Sequence, residues 1–135
     1  MSLTTRRLTV DPGDGHRDIT GGHGMRSFAT GDEAIEQTVG CALRFVLGEW
    51  FLDISEGIPW YPQPFAPNAV PILGHFPADL GYAEAFIKTA ILGVPGVLSI
   101  TSFSLTFNHH TRAAQCTASG VTENGGEFTV AGQLP

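Results

Sequence analysis

Residues 97–134, VLSITSFSLTFNHHTRAAQCTASGVTENGGEFTVAGQL, decide the fold of this 135-residue chain. Apolar and polar residues alternate here with a period of two, the signature of strands with one buried face. Leu98 and Ile100 share one parity, while Phe103, Leu105 and Phe107 share the other. A parity switch within one strand predicts a β-bulge near Thr101-Ser102, because one extra residue restores the buried face. Asn108-His109-His110-Thr111 is a turn, and a second strand runs over 112–122. Glu123-Asn124-Gly125-Gly126 closes a hairpin, since Asn-Gly suits a type I′ turn. The last strand covers 127–134. The C-terminal third is therefore a three-stranded antiparallel meander.

Upstream of it the period is helical. Leu80, Ala83, Ile87 and Ile91 form a stripe, Glu84 and Lys88 pair at i,i+4, and Asp79 is a good N-cap. A helix over 80–92 follows, ended by Gly93 and Pro95-Gly96. Pro59, Pro62, Pro64, Pro67, Pro71 and Pro77 make residues 56–78 an extended loop, since proline removes a backbone donor. Trp60, Tyr61 and Phe65 would pin this loop, and Ile72-Leu73-Gly74 is a short apolar stop within it. Thr30-Gly31-Asp32-Glu33 reads as a capping box. Ile35, Val39, Ala42, Leu43 and Val46 continue it as a helix over 32–47, with Gly48 as the left-handed C′ residue. Trp50 to Ile54 reads as a short strand, as do residues 3–10. The glycines at 13, 15, 21, 22, 24 and 31 make residues 11–31 a loop, or a ribbon of short strands around Asp18-Ile19-Thr20. The fold class is α+β: one small domain, with two helices packed on a mainly antiparallel sheet and a glycine-rich N-terminal arm. Its parts are the arm 1–31, the helices and proline loop 32–96, and the strands 97–135.

Composition narrows the function. Charged residues make up 15% of the chain, against about 25% in average proteins. Glycine is abundant, at 17 residues. Both traits suit a surface covered by partners, and equally a small β-rich domain with many turns. The net charge is −6, with only seven Lys and Arg. Nucleic-acid phosphates require concentrated basic residues, and anionic membranes repel acidic ones, so neither partner is expected. Cys41 and Cys116 read as buried free thiols, without zinc or CxxC spacing. The first residues lack the apolar core of a signal peptide, and no apolar run approaches the length of a membrane span. A soluble, cytoplasmically made protein is expected.

No catalytic template fits. Gly48-Glu49-Trp50-Phe51-Leu52-Asp53-Ile54-Ser55-Glu56-Gly57-Ile58-Pro59-Trp60 holds both tryptophans and three carboxylates. Paired carboxylates suggest a glycosidase, which needs them about 5–10 Å apart. Glu49 and Asp53 on a strand would stand about 13 Å apart, and Asp53 and Glu56 could meet only across a turn. His16, His23, His109 and His110 do not match zinc spacing, and Asp11-x-x-Asp14-Gly15 lacks a calcium ligand series. Ser55 and Cys41 lack a nucleophile elbow, and Gly21-Gly22-x-Gly24 lacks the Lys-Ser/Thr of a phosphate loop. No catalytic residue, cofactor or metal is expected.

The order of motifs carries a resemblance. Glu33-Ala34-Ile35-Glu36-Gln37 opens an apolar helix leading to Leu47-Gly48-Glu49-Trp50-Phe51-Leu52-Asp53. Gly57-Ile58-Pro59-Trp60, Ile72-Leu73-Gly74, Ile87-Lys88-Thr89-Ala90-Ile91-Leu92 and Pro95-Gly96-Val97 follow. Over about residues 30–122 this resembles the gp25-like baseplate proteins of contractile-tailed phages, the baseplate assembly protein W family. Many of those proteins have Gly-Glu-Arg where this chain has Gly48-Glu49-Trp50, and Glu-Pro-Arg where it has Val94-Pro95-Gly96. The resemblance implies a structural subunit that starts the contractile sheath by offering strands to its first ring. It implies as partners the tail sheath protein, baseplate wedge and hub proteins and, as a further candidate, the tail tube. It also implies several copies in a ring, in a virion baseplate assembled in the bacterial host cytoplasm. Relatives occur in type VI secretion systems and other contractile particles, and some carry a tail-lysozyme label, so the alternatives are a baseplate subunit of such a system and a tail-associated hydrolase using Glu49, Asp53 or Glu56. Glu49, Trp50, Asp53, Trp60, Pro95, Phe128 and Val130 are the candidate docking residues. The terminal strand, near an open edge, is the candidate template for sheath strands.

Overall fold

The computed structural model describes residues 4–10, 17–19, 28–62, 70–72, 80–108, 110–111 and 113–134. Its elements are β1 (Thr4–Arg6), β2 (Leu8–Val10), β3 (Arg17–Ile19), β4 (Phe28–Thr30), α1 (Asp32–Ala42), α2 (Leu80–Leu92), β5 (Val97–Asn108), β6 (Ala113–Thr122) and β7 (Glu127–Gln133). The expected α+β class and C-terminal meander are present. Among the described residues all ladders are antiparallel: β1 pairs with β4, β2 with β3, and the third sheet has the order β5-β6-β7.

β5 carries two register shifts where one was expected, between Val97 and Ser99 and between Ile100 and Ser102. Each adds one residue, so the inward side chains are Val97, Ile100 and Phe103 at intervals of three, then Leu105 and Phe107. Leu98 was expected to face inward. It sits in the first bulge instead and is 64% exposed. The β6–β7 turn also differs from a two-residue type I′ hairpin. Thr122 N–H donates to Gly126 O at 3.0 Å and Gly125 N–H to Thr122 O at 3.1 Å. The loop therefore has three residues, Glu123-Asn124-Gly125, with Gly125 in the left-handed region at φ 80°.

α1 packs against β7 and α2 against β5. One core joins them: Ile35, Val39 and Leu43 at α1, Ala83, Ile87 and Ile91 on α2, and Ala114, Cys116, Ala118, Phe128 and Val130 on the sheet. Small residues on β6 leave room for Phe128. A Cβ at Gly120 would stand 2.5 Å from the Phe128 ring.

α2 spans the expected residues, and its Glu84–Lys88 pair is formed. α1 stops at Ala42, not near 47. Arg44 N–H and Phe45 N–H turn back to Cys41 O and Ala42 O, and Val46 forms a parallel bridge with Ile58. Those bonds engage the backbone that a longer helix would use. The capping box is likewise absent. Thr30 is held in β4 opposite Thr4, and Gly31 takes the N-cap at φ 62° without a side-chain cap bond. Cys41 is exposed rather than buried, whereas Cys116 is buried as expected. The strand expected over residues 3–10 is broken at Arg7.

The described part of the arm is tied to α1 by Gln37. Its side-chain oxygen accepts the Leu8 N–H at 2.9 Å, and its amide donates to Arg6 O. Arg7 meets Glu33 at 2.8 Å. The glycine-rich turns over 11–16 and 21–27, His16, His23, His109, Phe65, Leu73-Gly74 and the Asp79 cap lie outside the described residues.

Candidate assembly interface

Two exposed features stand out on this frame. The first is the outer edge of β7, which has no strand neighbour among the described residues. Leu134 N–H donates to Ala114 O at 2.9 Å, and Gly126 O accepts from Thr122. The ladder between them has no register shift, so the alternation of an antiparallel strand fixes the rest. Residues 128, 130, 132 and 134 point their backbone groups to β6. Thr129, Ala131 and Gln133 point theirs outward. β5, the opposite edge, is bent by its two bulges, a feature that blunts strand pairing.

The second feature is the segment after α1. Trp50 to Ile54 is not a strand but a series of turns. Asp53 N–H donates to Trp50 O, Glu56 N–H to Asp53 O, and the Asp53 carboxylate accepts Ser55 N–H at 3.0 Å and its hydroxyl. The Asp-x-Ser pattern offers the backbone a local alternative to a ladder. The loop is closed at its base, where Leu47 N–H donates to Ile58 O and Ile58 N–H to Phe45 O, both at 2.9 Å. Gly57 at φ 110° permits this approach. A Cβ there would lie 2.6 Å from the backbone of Val46 and Leu47. Outside the base, Trp50 is 43% exposed, Phe51 84%, Leu52 68% and Ile54 48%.

The proposed docking residues divide accordingly. Glu49, Trp50, Asp53 and Pro95 are exposed. Trp50 leans edge-on against Phe45, with ring centroids 6.4 Å apart. Trp60, Phe128 and Val130 are in the core, so their side chains offer no docking surface in this fold. The buried Trp60 indole N–H donates to Leu43 O at 3.2 Å and pins the loop to the end of α1. On β7 the surface left for a partner is the outward backbone and the exposed face of Glu127, Thr129, Ala131 and Gln133.

Chemistry at the loop is sparse. The 13 Å spacing expected for Glu49 and Asp53 presupposed a strand that does not form. The side-chain and backbone hydrogen bonds from Ser55 hold the exposed Asp53 carboxyl below its usual value. That is the opposite of a general acid, whose pKa must rise. Among the described residues no group of three or more His, Cys, Asp and Glu could hold a metal ion, and no helix is long and apolar enough to cross a membrane.

One contact escaped the sequence reading. The Thr122 hydroxyl, buried, donates to Asp32 Oδ1 at 2.5 Å, and Asn124 adds a 3.3 Å bond to the same oxygen. This clamps the β6–β7 turn to the start of α1. A polar Thr122 on the buried parity of Ala114, Cys116 and Ala118 was the available signal.

The fold is thus a small α+β domain whose exposed features are a regular strand edge and an apolar loop, the build of a subunit in a larger assembly. The family of contractile injection system sheath initiators matches residues 6–125, and the chain belongs to that family. The match includes the arm strands β2, β3 and β4, beyond the segment that carries the resemblance in sequence. No curated protein matches the chain. Family membership gives it a role at the baseplate and sheath of a contractile injection system, as a tail or baseplate component.

Proposed function

We propose that the chain initiates the sheath by strand pairing at the outer edge of β7. The observation that carries this reading is the set of outward backbone groups at Thr129, Ala131 and Gln133, on a strand without bulges. An edge of this kind is a template for a partner strand. The partner at this edge is the tail sheath protein. Wedge and hub proteins hold the other surfaces, and copies form a ring around the tail tube in the baseplate, assembled in the host cytoplasm. The role is structural and not catalytic. The lowered pKa of the exposed Asp53, which does not suit a general acid, supports that view.

Ala131→Pro tests it. Proline removes an outward N–H and leaves the ladder bonds to β6 in place. The variant is expected to fold, to enter baseplates and to leave them without sheath, as counted by electron microscopy. Normal sheath on folded Ala131→Pro baseplates sinks the proposal. A zymogram on purified protein addresses the hydrolase alternative, and clearing abolished by Glu49→Gln/Asp53→Asn would establish it.

A further inference from the structure

We infer that the loop 49–56 is a second docking element, whose partner is a baseplate protein presenting an apolar pocket rimmed by Lys or Arg. The inference rests on the sheath-initiator reading but uses a surface at the end of α1, not a sheet edge. Four large apolar side chains, Trp50, Phe51, Leu52 and Ile54, are exposed within five residues. Large apolar side chains clustered and exposed in this way mark an interaction site. Tryptophan and phenylalanine anchors dominate the energetics of such sites.

The loop is already shaped for binding. The 47–58 backbone bonds close its base, and the Trp50–Asp53, Asp53–Glu56 and Asp53–Ser55 bonds fix its turns. A preformed loop loses little conformational freedom on association.

Charge selects the partner. Glu49, Asp53 and Glu56 are exposed around the apolar residues, and no ion pair engages them among the described residues. A complementary surface is therefore apolar at its centre and basic at its rim. A second copy of this chain fits poorly. It carries a net charge of −6, so two copies repel each other overall. An anionic membrane fits no better, since three carboxylates would face its headgroups.

The test uses the full chain in assembled particles. A photoreactive benzoylphenylalanine replaces Phe51, baseplates are irradiated, and the cross-linked peptide is sequenced. The expected product joins Phe51's position to a baseplate protein other than the sheath subunit, in an apolar segment flanked by Lys or Arg. In parallel, Glu49→Lys/Glu56→Lys, which leaves the Asp53–Ser55 bonds in place, is expected to reduce incorporation into baseplates about tenfold or more, with an unchanged melting temperature. Cross-links only to a second copy, only to lipid or to nothing overturn the inference, and so does undiminished incorporation of the charge-reversed chain. Incorporation is read before any sheath forms, so this result and that of Ala131→Pro can fail separately.

Discussion

Trp60 has no exposed surface, and its indole N–H is satisfied by the Leu43 carbonyl. Truncating it leaves both a large void and an unpaired acceptor. Trp60→Ala should cost about 3–5 kcal/mol in urea denaturation, while Trp50→Ala, at an exposed ring, should cost less than about 1 kcal/mol. The two residues are of one type and ten positions apart. Sequence offered a choice of core or interface for both, and only the bridge between Val46 and Ile58 separates them. The cysteines divide in the same way. Burial pushes the Cys116 thiol up to about 11, whereas Cys41 is exposed. At pH 8 a thiol reagent should therefore titrate one cysteine in the native protein and two in denaturant. The raised value also has a stability consequence. The folded chain keeps a proton that the unfolded chain releases above its ordinary value of 9.0, so stability falls as pH rises from there toward about 11. Cys116→Ala should flatten that part of a melting-temperature profile.

Between elements, the clamp from Asp32 to Thr122 joins the start of α1 to a turn 90 residues later. Thr122→Val and Asp32→Ala should each destabilise by about 1–3 kcal/mol, and the double variant by clearly less than their sum. A double-mutant cycle by denaturation measures this, and full additivity would argue that the contact contributes nothing. Gly57→Ala should cost about 2 kcal/mol or more, because both its φ and its closeness to the Val46 backbone exclude a Cβ. α2, β5 and β6 were legible because their periodicity extends over ten or more residues. The end of α1 was not. Leu43 and Val46 keep helical spacing after the helix has stopped, and the chain beyond the Arg44 and Phe45 turns is held by bonds to the distant Ile58. The strand expected at Trp50 to Ile54 failed for a related reason, since an apolar run shows burial tendency but not whether a ladder partner exists. The candidate site was half legible. Its loop residues stood out by type, while the direction of the β7 backbone needed the observed register.

For the whole molecule, a net charge of −6 and an exposed apolar loop act against each other. At low salt, repulsion should keep the chain monomeric. At about 1 M salt the Debye length shrinks to about 3 Å, and the loops of two chains can meet. Sedimentation velocity should show salt-driven self-association that Phe51→Ser/Leu52→Ser abolishes. If that variant associates as the parent does, the loop is not the adhesive surface. β7 adds a different kind of coupling. One face of it supplies Phe128 and Val130 to the core, while its outer backbone is the proposed template. A subunit with an unclosed core cannot hold that strand straight. If β7 is the template, sheath growth from this chain would then begin only on correctly folded copies, because the template edge and the hydrophobic core share one strand.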